Sequence, residues 1–351
     1  MQIAILGGGP IGLEAAVALD TAGHAVTVYE AGPSAGWSVQ RWAHVTMFTP
    51  WRMNTTAAGR ARLGDPAMLH SDEFPTGGAL AEHYLLPLAA TLDLRCGHRV
   101  VGVARQTLTK GQELGADSRT RQPFRLLLRT TDPGGEQEEQ TALADVVVDC
   151  TGTFDDPAPA GPGGLHVPGE RAVQAAGRLH HAPCPTAGLA NSRVLVVGDG
   201  ASATTALADL LDDGATITWL TPGTQVPGFH SPPDDRLPGR RALWQRGRRA
   251  ASLVDHRPQT WIERMDLTAT GVRVTLDEGR PVDVDHVVVA TGFRPDNRLL
   301  RELQFHVCWG SEGPMKLSAA LLATRGGGGG DCLDGAALVR GSRTVSFENV
   351  R

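Results

Sequence analysis

Five cysteines are present (Cys96, Cys150, Cys184, Cys308 and Cys332), and no two form a C-x-x-C pair or a close cluster. That absence argues against a structural zinc or any other metal site and against a disulfide framework, and the odd count suits a reducing, cytoplasmic compartment. There is no apolar run of membrane-spanning length, and no basic segment precedes a signal-like stretch at the N-terminus, so no membrane partner is expected. Lysine is nearly missing: Lys110 and Lys316 are the only two, and arginine carries almost all of the basic charge. With a net charge of −5, the chain offers no general attraction to nucleic acid. Its 351 residues, 41% hydrophobic and 20% charged, are enough for about two globular domains.

What is present begins at the N-terminus. Ile3 to Leu6 is a short apolar strand, and Gly7, Gly9 and Gly12 then fit G-x-G-x-x-G, with Pro10 and Ile11 inside the turn. Gly7 allows the tight turn, Gly9 lets backbone approach a pyrophosphate, and Gly12 lets helix and strand pack closely. Leu13 to Leu19 continues with helical spacing, and the helix N-terminus presents N–H groups to phosphate. Ala25 to Tyr29 reads as the second strand, closed by Glu30 and Ala31, where a carboxylate accepts hydrogen bonds from a ribose diol. Aromatics are only 5% of the chain, yet three of the seven tryptophans, Trp37, Trp42 and Trp51, fall in the stretch 37–51. Interleaved with Arg41, His44, Arg52 and Asn54, they suit a flat ring system and a substrate beside it; taken singly, each suits a core or lid position.

A second cradle follows near residue 194. Arg193 to Val197 is a strand, and Gly198, Gly200, Ala201, Ser202 and Ala203 repeat the turn with alanine at its third small position. A helix from Ser202 to Leu211 and a strand over "ATITWLT" complete it. Where the first cradle has Glu30, this one has Thr221-Pro222. Losing the acid suits a ribose that carries a 2′-phosphate, and the arginines downstream, Arg236 and Arg240 foremost, are the candidates to receive it. A solvated arginine-rich helix face is the alternative for most of them.

Between the cradles, residues 97–148 alternate Val/Leu-rich strands with polar turns, and "GTFDDPAPAGPGGLHVPGE" is a Pro/Gly-rich crossing. The strand-Thr-Gly elements "VVVDCTGTFDDP" (with Thr151 and Gly152) and "VVVATGFRPD" (with Thr291 and Gly292) recur. In these landmarks the chain resembles flavoproteins with two dinucleotide-binding domains. "VVGDGASA" and "FPTGGALAEHYLLPLA" are similar to elements of the class B flavin-containing monooxygenases. The resemblance implies an α/β fold of two Rossmann-like, three-layer ββα domains, with the NADP domain inserted in the FAD domain. The implied bounds are 1–185 and 286–351 for FAD and 186–285 for NAD(P)H. It also makes Thr151-Gly152 and Thr291-Gly292 connector strands beside the cofactors, and Asn54 the catalytic asparagine beside the flavin.

The function so implied is an FAD-dependent oxidoreductase. NADPH, or NADH in its place, reduces the flavin, and O₂ then oxygenates a small N-, S- or carbonyl-containing substrate. A reductase that passes electrons to a quinone or other acceptor is the alternative, and lacks the redox cysteine pair of the dithiol enzymes. The chain runs through a glycine tract with Gly330-Asp331 to a strand-like Thr344 to Val350, so the FAD return segment is expected to be short. A shortened nucleotide-binding paralogue without turnover is therefore a second alternative. The oligomeric state has no readable signal.

Overall fold

The computed structural model describes residues 1–131, 137–224, 237–277 and 279–324. The chain forms two compact units, one of Met1–Trp37, Leu85–Thr153 and the segment from Arg294, the other of Ser38–Tyr84 and Phe154–Phe293. No helix among the described residues is long and apolar enough to cross a membrane.

The first unit contains β1 (Gln2–Leu6), β2 (Ala25–Tyr29), β3 (Asp93–Arg95), β4 (His98–Arg105), β5 (Phe124–Thr131), β6 (Gln137–Ala144) and β7 (Val146–Asp149). Four of them make a parallel sheet in the order β3-β2-β1-β7, and β4, β5 and β6 make an antiparallel meander. Successive side chains of a strand point to opposite faces, and β1 uses both faces for burial. Ile3 and Ile5 face the helix Pro10–Thr21, where they meet Ala16 and Val28. Ala4 and Leu6 face the meander and meet Val103, Leu126 and Leu128. A strand buried on both sides must be apolar throughout, which is why "IAIL" shows no polar alternation. The layers are sheet, sheet and helix.

The second unit repeats this plan with β8 (Leu179–His181), β9 (Arg193–Val197), β10 (Thr216–Thr221), β11 (Asp255–Pro258), β12 (Ile262–Leu267), β13 (Val272–Leu276), β14 (Pro281–Val284) and β15 (His286–Val289). The parallel sheet runs β11-β10-β9-β15-β8, and β12, β13 and β14 form the antiparallel layer. Val194 and Val196 face the helix Ala201–Asp212 with Leu207, Leu210 and Trp219. Leu195, Leu220, Val287 and Val289 face Met265, Val274 and Leu276 of the antiparallel layer. Each fully buried Leu or Val contributes about 1.5–3 kcal/mol, so each cluster is a core in its own right.

Two ββα units are thus present, as the sequence predicts, but the structure divides the chain elsewhere. β8 lies before residue 186 and β15 begins at 286, yet both pair in the second sheet, Leu179 with Val287 and Val288 with Val196. The reason is that β15 does for the second cradle what β7 does for the first. Residues 38–84 also group with the second unit. Gly330-Asp331 and Thr344 to Val350 lie outside the described residues.

Candidate functional site: two glycine cradles

In the first cradle the Gly7 amide donates to the Tyr29 carbonyl at 2.8 Å, which joins the turn to the end of β2. Gly7 sits at φ 103°, and a Cβ there would lie 2.5 Å from the Cys150 carbonyl oxygen. Gly12 is tighter still: its Cβ would lie 1.9 Å from the Gly7 carbonyl oxygen. Gly9 is different, because a Cβ there would meet nothing within 4 Å. This open side lies at the N-terminus of the helix Pro10–Thr21, whose cap is Gly9 with no side-chain bond to it and whose first residue, Pro10, has no N–H. Ile11, 73% exposed, stands on the same turn. An anion approaching Gly9 meets backbone and a positive helix end.

Glu30 closes this cradle with both carboxylate oxygens engaged. Oε2 accepts from the Gly8 amide at 2.7 Å and Oε1 from the Gly32 amide at 2.6 Å. Each oxygen keeps further acceptor capacity for a hydroxyl. Trp37 lies against Gly32 and is 38% exposed; Ala31 is half-buried between Glu30 and Gly32. After β7, the Asp149 Oδ1 accepts from the Thr151 amide and hydroxyl at 3.0 and 2.7 Å, and Gly152 turns the chain at φ 69°. Burial, with a smaller contribution from Asp149, pushes the Cys150 thiol up to about 11, so beside Gly7 it stays a protonated spacer and not a nucleophile. A dinucleotide with an unphosphorylated ribose fits this set: open backbone at Gly9, a helix end for pyrophosphate and a carboxylate for the diol.

The second cradle repeats the backbone with other side chains. Gly198 donates to the Leu220 carbonyl at 3.1 Å, sits at φ 121°, and a Cβ on it would meet the Ala290 carbonyl oxygen at 2.3 Å. Gly200 caps the helix Ala201–Asp212 and faces open space. Ala203 is fully buried at the position of Gly12, while Ala201 and Ser202 stay half-buried in the first turn. Instead of a carboxylate above the turn, an indole sits beneath it: Trp219 Nε1 donates to the Gly198 carbonyl at 2.8 Å. Thr221 takes the place of Glu30 and its hydroxyl pairs with His256 Nε2 at 2.9 Å. Burial holds His256 below its usual range, so near neutral pH it is the uncharged partner of that hydroxyl. After β15, Thr291 Oγ1 donates to the Ala158 carbonyl at 2.8 Å and Gly292 turns at φ 96°.

Other candidates have local roles in the structure. Asn54 Nδ2 donates to the Thr49 and Pro50 carbonyls, both at 2.9 Å, and its Oδ1 accepts from the Thr49 hydroxyl at 2.7 Å. Both amide hydrogens are used, and only acceptor capacity on Oδ1 is left for a ligand. Trp42 lies against Gly77, and Trp51 is 4% exposed beside His83, so the tryptophans each pack on a separate partner. Arg240 stands in the first turn of the helix Pro238–Ala251, whereas Arg236 lies outside the described residues. Further along that helix Arg246 is committed to Asp209 and Asp212, at 3.1 and 2.8 Å. Glu30's backbone bonds and the Trp219 brace were not anticipated. The first has a sequence signal, an acid two residues before a glycine, and the second has none.

A family model described as pyridine nucleotide-disulphide oxidoreductase matches residues 2–313. The nitric oxide reductase FlRd-NAD(+) reductase of Citrobacter koseri is 31% identical over 109 residues, covering 31% of this chain and 27% of that protein. The chain thus spans about a quarter of the length of the curated relatives it matches, as it also does for the Klebsiella pneumoniae protein of the same description, 32% identical over 109 residues. Among solved structures, the bacillithiol disulfide reductase Bdr from Bacillus cereus superposes with a TM-score of 0.66 at 21% identity, over 90% of this chain and 85% of that one. The flavin-containing monooxygenase from Stenotrophomonas maltophilia gives 0.55 at 20% identity, over 89% and 84%. At these identities the two structures speak to fold.

Proposed function

The chain belongs to the pyridine nucleotide-disulphide oxidoreductase family, whose members bind FAD and take electrons from NAD(P)H, and from that premise we propose a monooxygenase-like oxidoreductase that works without a protein dithiol. The observation that carries the reading is the pairing of two cradles of unlike chemistry with a sequence that has no C-x-x-C or C-x₄-C pair. FAD, when bound, accepts hydride from NAD(P)H and passes two electrons to an acceptor. The overall balance consumes NAD(P)H, a proton, O₂ and the small substrate, and yields NAD(P)⁺, water and the substrate with one oxygen added.

The protein's own residues bind, orient and insulate. Gly9 and the helix end beyond it hold a pyrophosphate, and Glu30 holds a ribose diol with the acceptor capacity that Gly8 and Gly32 leave over. Gly200, Ala201 and Ser202 do the first of these tasks in the second cradle, where the buried, uncharged Thr221 stands in place of the acid. Thr151-Gly152 and Thr291-Gly292 carry each chain past its cradle. Asn54 enters this reading as a positioning residue: it fixes the Thr49–Pro50 turn in front of Trp51.

A reductase that delivers the same electrons to a quinone, a small oxidant or a protein is the second reading, favoured by the likeness over 109 residues to nitric oxide reductase FlRd-NAD(+) reductases. Stopped-flow oxidation of the NADPH-reduced protein separates the two. Incorporation of labelled oxygen from O₂ into a sulfide or amine substrate, one oxygen per NADPH consumed, supports oxygenation. Rapid anaerobic reoxidation by quinone with no oxygen transfer in air overturns it in favour of the reductase.

A further inference from the structure

We infer that Arg257 and Arg280 form a phosphate pocket beside the second cradle and make the 2′-phosphate of NADPH its preferred ligand. The inference deepens the reading of that cradle as the NAD(P)H site and rests on it. It places recognition on β11 and on the approach to β14, not on the arginine-rich stretch after β10.

The argument starts at Thr221. In the first cradle the equivalent residue, Glu30, would repel a phosphate on the ribose. Thr221 is 1% exposed and carries no charge, and its hydroxyl is held by His256. In the sheet Thr221 pairs in register with Pro258 at the carboxyl end of β11, and neighbouring strands lie about 4.8 Å apart. Pro258 lines a cavity of about 460 Å³ together with His256, Arg257, Thr260, Arg280 and Pro281. The cavity is therefore one strand from the position equivalent to Glu30, and among the described residues its lining contains two guanidinium groups and no carboxylate.

Both arginines have capacity for an anion. Arg257 spends Nε and Nη2 on Asp255 Oδ2, at 2.9 and 2.8 Å, which orients the guanidinium and leaves Nη1 outside that pair. Arg280 has no carboxylate partner among the described residues and is exposed at the start of β14. Guanidinium forks match phosphate oxygens in a way a lysine cannot. Thr260, 5% exposed, spends its hydroxyl on the Pro258 carbonyl and so fixes the cavity wall. Asp255 is the acid paired with Arg257 among the described residues, and that pairing tempers the pocket without cancelling it.

Calorimetric titration of the full chain with its flavin, using adenosine 2′,5′-bisphosphate and separately adenosine 5′-monophosphate, reads the phosphate alone. The bisphosphate is expected to bind tighter by on the order of tenfold or more. The double variant Arg257→Ala/Arg280→Ala should bring that ratio close to one, and Arg257→Lys should keep part of it. Thermal unfolding of each variant checks that the fold survives. Equal binding of the two nucleotides by the unaltered protein overturns the inference, as does an unchanged ratio in the double variant. Inorganic phosphate binding as tightly as the bisphosphate would also overturn it, by making the cavity a general anion site. If neither NADH nor NADPH bleaches the flavin, the reading of the cradle itself falls and takes the pocket with it. If both bleach it and the bisphosphate has no advantage, the pocket alone falls.

Discussion

The two cradles share a backbone and differ in what holds it. In the first, the brace is a carboxylate above the turn: Glu30 ties Gly8 and Gly32 together from the side on which a ligand arrives. In the second, the brace is an indole below the turn, and Trp219 reaches the Gly198 carbonyl from the buried side of the sheet. The register makes the substitution explicit, since Leu6 pairs with Tyr29 as Val197 pairs with Leu220, so Trp219 stands where the first cradle has Val28. A group that both builds the turn and faces the ligand couples folding to binding. A group that builds the turn from underneath leaves the ligand side free to be specialised. The first arrangement suits a resident cofactor and the second a visitor.

The largest expected break of this comparison is Gly12→Ala. Its Cβ would be driven to 1.9 Å from the Gly7 carbonyl oxygen, a contact of backbone with backbone that no rotamer relieves. The second cradle already has an alanine at the same place, Ala203, fully buried. Gly12→Ala should therefore cost upwards of about 3 kcal/mol by overpacking and yield protein with little bound flavin. Ala203→Gly should cost only about 1 kcal/mol through helix propensity and keep its FAD. Visible absorbance of the purified variants, with thermal unfolding, checks both; a fully yellow Gly12→Ala protein would mean that the strand and helix can separate at no cost.

Next in size is Glu30→Ala. It leaves two backbone amides without their carboxylate acceptor, and hydrogen bonds to charged groups are worth about 1.5–3 kcal/mol each. A fall in FAD affinity larger than that produced by Thr221→Val on NAD(P)H is expected, because Thr221 shares one hydrogen bond with one imidazole while Glu30 holds two amides and, in the proposed reading, a ribose. Equilibrium dialysis against FAD and fluorescence titration with NADPH give the two numbers. Trp219→Phe is the matching experiment on the other brace. It keeps most of the buried ring and removes one neutral hydrogen bond, about 1 kcal/mol. NADPH affinity should fall a few-fold and flavin content should not change. An equal loss of flavin would show that the two units are not independent.

Much of this comparison is legible in the sequence, and the illegible part has a physical cause. β1, β2, β9 and β10 and the helices after each glycine turn follow from local pattern, because apolar runs and glycine spacing act within about a dozen residues. The helices extend to Pro10–Thr21 and Ala201–Asp212, a little beyond the periodic stretch. The assignment of "VVVDC" and "VVVAT" to sheets is not local. The two read alike, and only the long-range pairing of Val147 with Ala4 and of Val288 with Val196 separates them. That is why β15 reads in the sequence as a return to the FAD domain, whereas the carbonyl of Ala290, the residue after it, closes the second cradle. Trp219 could not be singled out because a tryptophan in a strand looks like core until its Nε1 has a partner. Asn54 illustrates the converse: an asparagine beside tryptophans suggests ligand chemistry, but the nearest acceptors are its own turn's carbonyls.

The smallest expected effect is a difference in acid sensitivity. His180, His181, His256 and His286, all in the second unit, are held below the ordinary histidine range, in each case chiefly by burial. His180 also faces His286 at 3.1 Å, with Arg178 3.4 Å from His286 on the other side; both repel a proton. Asp285 opposes this at His286, Glu170 opposes it at His181 while His166 adds to it, and Asp255 opposes it at His256. Since the folded values are depressed, the unfolded chain binds protons first as pH falls. The stability these histidines contribute is present above about pH 6.5 and is lost as pH drops through the folded values. Partial exposure limits the size to on the order of a few degrees in Tm. Hydrogen exchange should show the amides of β8, β9 and β15 losing protection between about pH 7 and pH 5, ahead of those of β1 and β2. His286→Gln should flatten that slope, because it removes one titrating ring and the charge repulsion on His180 together. An unchanged slope in His286→Gln would place the acid sensitivity outside this pair.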